Sequence, residues 1–418
     1  RVTRMGVADV IKDQGSTSSA SVSHVGFRKL LVAGQVAFTI LLLAGAGLFV
    51  RSLWNLRNQD LGLKADNVMT FSIQPILNGY DLPRSIALFD QMRTRLAALP
   101  GVRSIGSGDV PTLTGDDEGS NITVEGGMQA QLPEELQDVD HISVSANYFS
   151  TLGIPLLMGR EFNESDGATS PKVAVVSQAM AKRFFPDRNA VGLHFAFGGG
   201  NKTVPDILIV GVVKDVKQEH VSSTPIPYVY IPYAQRPKLR EMTFYVRTER
   251  DPLLLASSLQ DVVRQLDGNL PVFDLKTMQR VVEDDLFSAR MVAVLSASFA
   301  ALAALLAALG IYGVLAYVVV QRTREIGIRM ALGALAGDVR LLILKEVGSM
   351  VLIGVVVGLP VAYGLARFSE SLLYGVHAGD PAVYAFGLLL IAMIALAACF
   401  IPARRATRVD PLVALRYQ

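Results

Sequence analysis

Met291–Val320, MVAVLSASFAALAALLAALGIYGVLAYVVV, runs for 30 residues without an Asp, Glu, Lys or Arg. A helix needs about 20 predominantly apolar residues to cross the ~30 Å hydrocarbon core of a bilayer, whereas runs of about 10–14 suit a buried helix in a soluble core. Three further charge-free runs flank it: Leu30–Val50 before, then Val347–Ala366 and Ala382–Ala403, of 21, 20 and 22 residues. The whole chain is 418 residues, 51% apolar and only 18% charged. Its 39 basic and 37 acidic side chains all fall in the 325 residues outside the runs, about 23% of them, close to an ordinary soluble value. The sequence therefore serves two solvents. A purely soluble globule, a disordered chain and a protein made only of membrane helices are all excluded. The first run reads as a span rather than a signal peptide, being too long and lacking a small-x-small cleavage site.

Charge between the runs orients them. Residues 1–29, 321–346 and 404–418 sum to +8, while 51–290 carry −5 and 367–381 carry −1. Lys and Arg stay on the cytoplasmic side. The expected order is a cytoplasmic N-terminal segment (1–29), a first transmembrane helix (30–50), a periplasmic domain with stalk helices (51–290) and a second transmembrane helix (291–320). A cytoplasmic loop (321–346), a third transmembrane helix (347–366), a short periplasmic link (367–381), a fourth transmembrane helix (382–403) and a cytoplasmic tail (404–418) complete it. The expectation is a multi-pass membrane protein in contact with lipid, of a kind that suits a bacterial plasma (inner) membrane. Cys399 is the single cysteine and falls in the fourth run, so the outer domain has no disulfide framework.

The outer domain reads as α+β. Val68–Ile73 alternates as a half-buried strand, with Met69, Phe71 and Ile73 on the apolar face and Thr70 and Ser72 on the other. Arg84–Leu99 is an amphipathic helix, stopped by Pro100-Gly101, and Val102–Ser107 returns as a strand. The same order recurs as Thr243–Thr248, Pro252–Asp267 and Pro271–Leu275. Two βαβ units far apart in sequence predict a split ferredoxin-like lobe (62–110 and 239–275) with a second lobe (111–238) inserted. In that insert Val173–Val176 and Ile207–Val213 read as strands and Ser177–Phe185 as a helix. Tyr228–Ile231, bracketed by Pro225, Pro227 and Pro232, reads as an edge strand. Pro111–Gln137 and Ala196–Pro205 read as loops. Val282, Leu286 and Met291 continue a helical stripe into the second span, and Arg51–Leu61 continues the first. Both suggest a helical stalk joining domain to membrane, against the alternative of helices ending at the headgroups.

No chemistry announces itself. There is no Walker A motif, G-x-x-x-x-G-K-[ST]; Gly198–Thr203 is only an echo of it. His24, His141, His194, His220 and His377 never fall at i, i+3 or i+4, so no helical zinc site is expected. Asp138, Asp140 and His141 are a candidate cation cluster, as are Asp116, Asp117 and Glu118; a solvated loop face is the competing reading of both. There is no G-x-S-x-G nucleophile turn. The spans contain no acid or base from which a proton relay could be built. The expectation is no catalytic residue, no metal, no nucleic acid and no cofactor in this chain. Gly354 and Gly358 form a small-x-x-x-small pair that can bring helices close; chance in a Gly- and Val-rich span is the other reading.

The sharpest segment is Gln321–Ala334, QRTREIGIRMALGA. It is too basic for lipid, and Ile326, Ile328, Met330 and Leu332 make it too apolar for a solvated linker. Headgroup anchoring accounts for Arg322 and Arg324 alone. A short element docking a cytoplasmic partner accounts for all of it. Here the sequence resembles the FtsX-like and MacB-type permeases of ATP-binding-cassette (ABC) transporters. Gly159–Phe162, Val173–Ser177, Phe185-Pro186 and Val210–Val216 resemble that family's periplasmic core domain, and Ile401–Tyr417 its C-terminal ending. The resemblance implies an α+β membrane protein with four transmembrane helices and a two-lobed MacB-type periplasmic core on a helical stalk. It also implies a dimeric permease coupled to a separate ATPase that holds the ATP and Mg, with movement of the outer domain by mechanotransmission. ATPase coupling would then fall to Arg322, Arg324, Glu325, Ile326, Gly327, Ile328, Arg329, Ala331, Leu332 and Gly333, and helix packing to Gly354 and Gly358. A periplasmic adaptor is a further implied partner.

Arg1-Val2-Thr3-Arg4 echoes Arg405-Ala406-Thr407-Arg408, and Val10-Ile11-Lys12 echoes Ala414-Leu415-Arg416. The expectation is the second half of a duplicated permease of the acidobacterial tandem type, so that the second copy is the other half of one chain. Three functions compete on these residues. One is efflux or envelope export. Another is a signalling or activator subunit sensing a peptide or regulating a cell-wall hydrolase. The third, a membrane-tethered enzyme, requires the Asp116–Glu118 or Asp138–His141 groups to converge in a cleft.

Overall fold

The structure is a computed structural model. It describes residues 7–114, 118–126, 132–133, 136–199, 203–236, 239, 241–323, 325, 328–329, 332 and 335–406, with 7–26 by backbone alone. The chain divides into two compact units, Arg1–Arg57 with Ser288–Gln418, and Asn58–Phe287.

In the first unit the charge-free runs lie within four helices: α1 (Val7–Arg57), α7 (Phe287–Gln321), α8 (Ala336–Phe368) and α9 (Pro381–Ala406). Their membrane-compatible portions are 31, 35, 32 and 20 residues long, between about 30 and 53 Å at 1.5 Å per residue. One buried stripe from each helix meets the others: Val36 and Ile40 of α1, Ile311 and Leu315 of α7, Ile343 and Val347 of α8, and Ile391 and Ala395 of α9. Elsewhere the helices keep large apolar side chains exposed, among them Leu305, Leu309, Leu352, Val356, Leu389 and Leu396, as a bundle bathed in lipid does.

Glycine permits a close approach of α8 to α1. A Cβ at Gly354 of α8 would stand 2.7 Å from Val36 Cγ1 and 2.8 Å from the Ala33 carbonyl oxygen. One at Gly358 would stand 2.9 Å from Ala37 Cα. The α1 backbone therefore occupies the space of the missing side chains. The 369–380 link folds onto the same helix. Ser52 Oγ accepts from the Tyr374 N–H at 2.8 Å, Asn55 donates to the Gly375 carbonyl at 2.9 Å, and Arg51 pairs with Asp380 at 2.5 Å.

The second unit is built on two βαβ runs. The first is β1 (Val68–Ile73), α2 (Leu82–Ala97) and β2 (Val102–Gly108). The other is β10 (Met242–Thr248), α5 (Ala256–Leu266) and β11 (Phe273–Thr277). Their strands lie in the antiparallel order β11-β1-β10-β2, a ferredoxin-like sheet. Asp81 caps α2 by accepting the Arg84 N–H at 3.0 Å. Phe89, Met92 and Leu96 of α2 and Leu259 and Val263 of α5 cover Met69, Phe71, Ile73 and Phe244. Phe71 stacks on Phe244 with ring centres 5.3 Å apart.

The opposite sheet face is not solvated as the alternation predicted. Thr70 and Ser72 are 5% and 4% exposed. Helix α6 (Met278–Asp285) buries Met278 and Val281 beside them, and the Ser72 and Thr243 hydroxyls satisfy each other at 2.7 Å. A hydroxyl-bearing strand face can be covered when its donors pair among themselves. The stripe Val282, Leu286, Met291 is divided between two helices: α6 closes at Leu286 through a bond from its N–H to the Val282 carbonyl, and α7 starts at Phe287.

Between β2 and β10 comes the inserted lobe. Its elements are β3 (Glu118–Val124), β4 (Asp138–Val144), α3 (Tyr148–Leu152), β5 (Leu156–Gly159), β6 (Val173–Ser177), α4 (Gln178–Phe184), β7 (His194–Phe197), β8 (Ile207–Val213) and β9 (Tyr228–Pro232). Two stretches read as loops thus hold strands, β3 within Pro111–Gln137 and β7 reaching into Ala196–Pro205. Both are short and polar-flanked, and pairing with each other supplies what their composition does not. Nor is β9 an edge strand. It pairs parallel with β4 and antiparallel with β6. Pro225 and Pro227 precede the strand and Pro232 is its last residue, so the ladder loses no interior N–H. The β4–β9 pairing closes a ring, β4-β3-β7-β8-β6-β9, around Ile122, Val176, Phe195, Ile209, Val212 and Val229. Among the described residues β5 pairs with β8 alone.

Candidate coupling segment

The site begins where α7 ends. The Arg322 N–H bonds to the Val318 carbonyl at 3.0 Å and Thr323 Oγ1 to that of Val319 at 2.9 Å, so the helical path persists past the apolar run. Glu325 and Arg329, one turn apart, pair at 2.6 Å. The Leu332 N–H bonds to the Ile328 carbonyl at 3.0 Å, a further helical turn. α8 then starts with the Asp338 carboxylate accepting the Leu335 N–H at 3.0 Å, a favourable placement of negative charge at a helix N-terminus.

The described large apolar side chains of this stretch face outward. Ile328, Leu332 and Leu335 are 42, 83 and 73% exposed. Three large apolar groups presented within eight residues, next to an ion pair, form a surface suited to protein contact rather than to catalysis. Arg324, Ile326, Gly327, Ala331 and Gly333 lie outside the described residues.

Behind the segment lies a charged junction that sequence reasoning missed. Glu346 of α8 accepts from Lys29 of α1 and stands 3.6 Å from Arg322 beyond α7. Its side chain is 15% exposed. Arg28 stacks over the Tyr317 ring, 4.4 Å from its centre, a cation–π contact. Three helices that carry the segment are tied by one carboxylate. The available signal was position: Glu346 immediately precedes the third charge-free run, as Lys29 precedes the first.

Gly354 and Gly358 lie farther along α8, against α1, as described above. The candidate cation clusters do not assemble. β4 alternates, so Asp138 is exposed while His141, three residues on, is 5% exposed and packed 4.8 Å from the Phe197 ring centre. Asp116 and Asp117 lie outside the described residues, and Glu118 is a β3 position in register with His141. Among the described residues no group of His, Cys, Asp and Glu is placed to hold a metal ion.

The outer unit has its own polar junction where its two lobes meet. β2 and β4 share one residue pair, Gly108 with Val144. Arg93 of α2 reaches Glu164 beyond β5 at 2.9 Å, and the Tyr233 hydroxyl donates to Asp90. Burial, with Asp90 beside it, pushes the Tyr233 phenol well above the usual tyrosine range, so this donor stays protonated. The lobes are joined by one backbone pair, by these polar ties and by a buried aromatic contact, Tyr148 of α3 against Tyr245 of β10 with ring centres 5.8 Å apart.

Compared with known proteins, residues 30–262 match the family model for the MacB-like periplasmic core domain, and residues 297–411 that for the FtsX-like permease C-terminal region. The chain is 24% identical over 302 residues to the uncharacterized ABC transporter permease YknZ of Bacillus subtilis (strain 168), covering 70% of this chain and 73% of that one. It is 26% identical over 325 residues to the macrolide export ATP-binding/permease protein MacB of Chromobacterium violaceum, covering 75% and 49%. The chain spans about half the length of the MacB relatives it matches. A crystal structure of the periplasmic region of MacB from Actinobacillus actinomycetemcomitans aligns at 18% identity and a TM-score of 0.35, covering 56% of this chain and 98% of that one.

Proposed function

The chain belongs to the family of permeases with a MacB-like periplasmic core domain, and from that premise we propose that it is the permease subunit of a MacB-type ABC transporter. It couples ATP hydrolysis by a separate cytoplasmic ATPase to motion of its periplasmic domain, serving efflux or envelope export. The observation that carries this reading is the exposed apolar surface of Ile328, Leu332 and Leu335 beside the Glu325–Arg329 pair. In a docked complex these apolar groups supply most of the affinity, and the charges set orientation. The 418 residues contain no Walker A cradle, so the nucleotide and its Mg belong to the partner. A second permease copy, or the other half of a duplicated chain, completes the transporter, and a periplasmic adaptor joins it outside. Both termini lie in the cytoplasm.

Two measurements test this. Single cysteines at Gly126 and Gly199 should label from the periplasm, and ones at Gly337 and Gln418 should not; labelling of Gly337 from outside would end the reading. Replacing Glu325 and Gly327, or Leu332 alone with Asp, should abolish co-purification with the ATPase and its stimulation while leaving insertion intact. A charge change at Lys202 should do neither. Inside variants that bind and stimulate the ATPase like the parent would reduce the segment to a headgroup anchor.

A further inference from the structure

In the outer unit, the sheet face turned away from α2 and α5 holds a cavity of about 50 Å³ between β1, β10, β11 and α6. Hydroxyl side chains line it, and Met278 and Val281 of α6 close one side. A polar space of this size takes about four waters, or one solute of similar bulk. Thr70 is the group that lacks a partner. It lines the cavity and is 5% exposed, and its hydroxyl makes no hydrogen bond with any described residue. The neighbouring hydroxyls are settled. Ser72 and Thr243 bond each other at 2.7 Å, Tyr245 accepts the Thr112 N–H at 2.9 Å, and Thr114 donates to the Pro111 carbonyl at 2.7 Å. A buried hydroxyl left alone is costly, so Thr70 calls for a bound group.

Two charged groups share the cavity. β11 carries a bulge, with Thr70 paired to Lys276 but Ser72 paired to Phe273, and at that bulge Asp274 takes a φ of 50°. Left-handed backbone is uncommon outside glycine, although aspartate tolerates it. Bulges re-aim side chains, and here both Asp274 and Lys276 line the cavity. Asp274 makes no ion pair or hydrogen bond with any described residue. Lys276 reaches Asp284 of α6 at 3.2 Å, long for a charge-assisted bond. Arg280 holds the same Asp284 at 3.0 Å, so Lys276 can turn to a ligand without stranding that carboxylate. The cavity thus presents one carboxylate, one ammonium and one buried hydroxyl. A lone anion would face Asp274 and a lone cation would face Lys276; a zwitterion matches both, and the volume restricts it to a few atoms. We propose that this cavity binds a small α-amino acid of the size of glycine, alanine or serine. Asp274 takes its ammonium, Lys276 its carboxylate, and Thr70 donates to that carboxylate. The site lies wholly within the outer unit and does not depend on ATPase coupling.

The full chain in detergent is titrated with glycine, alanine and serine by calorimetry, and contact is read by saturation-transfer NMR. All three should bind. Glycolate, ethanolamine and glycerol, which lack one charge or both, should bind about tenfold more weakly, and phenylalanine, too large for the cavity, should not bind. Thr70→Val keeps the shape and removes the hydroxyl. Asp274→Asn keeps the size and accepts the left-handed backbone, and Lys276→Met removes the ammonium. Each should weaken glycine binding about tenfold, the scale of one hydrogen bond to a charged group, and a ligand-free melt shows that each variant is folded. Glycerol or ethanolamine binding as tightly as glycine would overturn the assignment. So would undiminished glycine binding by folded Asp274→Asn and Lys276→Met, or no binding of any of the three amino acids, which would give the cavity to water.

Discussion

Two of the helices packed on α1, α7 and α8, are similar in length and composition, and α1 holds them in opposite ways. Against α8 it makes a backbone-to-backbone contact at Gly354 and Gly358, with the 369–380 link closed over one end by Ser52, Asn55 and Arg51. Against α7 it makes side-chain contacts at Ile311 and Leu315, one hydroxyl contact at Ala303, and a groove. The α1–α8 pair is a fixed frame. α7 leans on that frame, and along the chain it is the helix that runs from the outer domain to the candidate coupling segment. Apolar length is therefore a poor guide to mechanical role; the residues that close or open the helix–helix gap decide it.

The largest expected effect tests the fixed side. Gly358→Leu places a branched side chain where even a Cβ meets Ala37, and should destabilise the purified protein by about 3 kcal/mol, the upper range for overpacking. Gly313→Leu on α7, where a Cβ meets nothing within 4 Å, should change it by less than about 0.5 kcal/mol, as surface substitutions do. Denaturation in detergent compares the two, and equal losses would erase the distinction between frame and lever.

A smaller effect sharpens the contrast at the charged junction. Glu346→Gln should cost about 1 kcal/mol, since Lys29 is one-third exposed and screened by solvent. In a Lys29→Met background the same change should cost less than half as much, the signature of a direct interaction. Full additivity would mean that the carboxylate acts elsewhere.

The smallest effect lies in the outer unit. Hydrogen bonding to Arg160 holds the Asp166 carboxyl below the usual carboxylate range. A depressed folded-state pKa contributes stability above the unfolded value of about 3.9, and that contribution is lost as pH falls through the lowered value. The half-exposed Arg160 limits it to about 1 kcal/mol. Acid unfolding of Asp166→Asn should lack that part of the pH dependence, and identical acid branches would assign the pair no role.

Apolar runs and βαβ periodicity made the membrane helices and the ferredoxin-like lobe legible in the sequence, because both depend on local pattern. The inserted lobe was legible only at β6, α4, β8 and β9. Its strands β3, β4, β5 and β7 are four to seven residues long and owe their existence to pairing partners far along the chain. Tyr228–Ile231 was misplaced at an edge because prolines mark where a ladder must stop, not how many partners it has between stops. At the coupling segment, composition exposed the apolar-basic mixture. Lys29, Glu346 and Tyr317 stayed hidden because their meaning comes from three helices arriving at one place.

The β4–β9 closure bears on the order in which the outer unit is assembled. Val68 of β1 pairs with Arg247 of β10, so the ferredoxin-like sheet has to wait until most of the unit has been synthesised, and its closure spans a long flexible loop. The ring uses partners lying nearer one another in sequence and can form before β10 emerges. Once formed, it shortens that loop, because its entrance beyond Gly108 and its exit before Thr243 meet at neighbouring positions. The insertion then acts as an internal folding template for the lobe that encloses it. A break in the ring would first appear as slow completion of β1, β10 and β2, before any loss of their final stability.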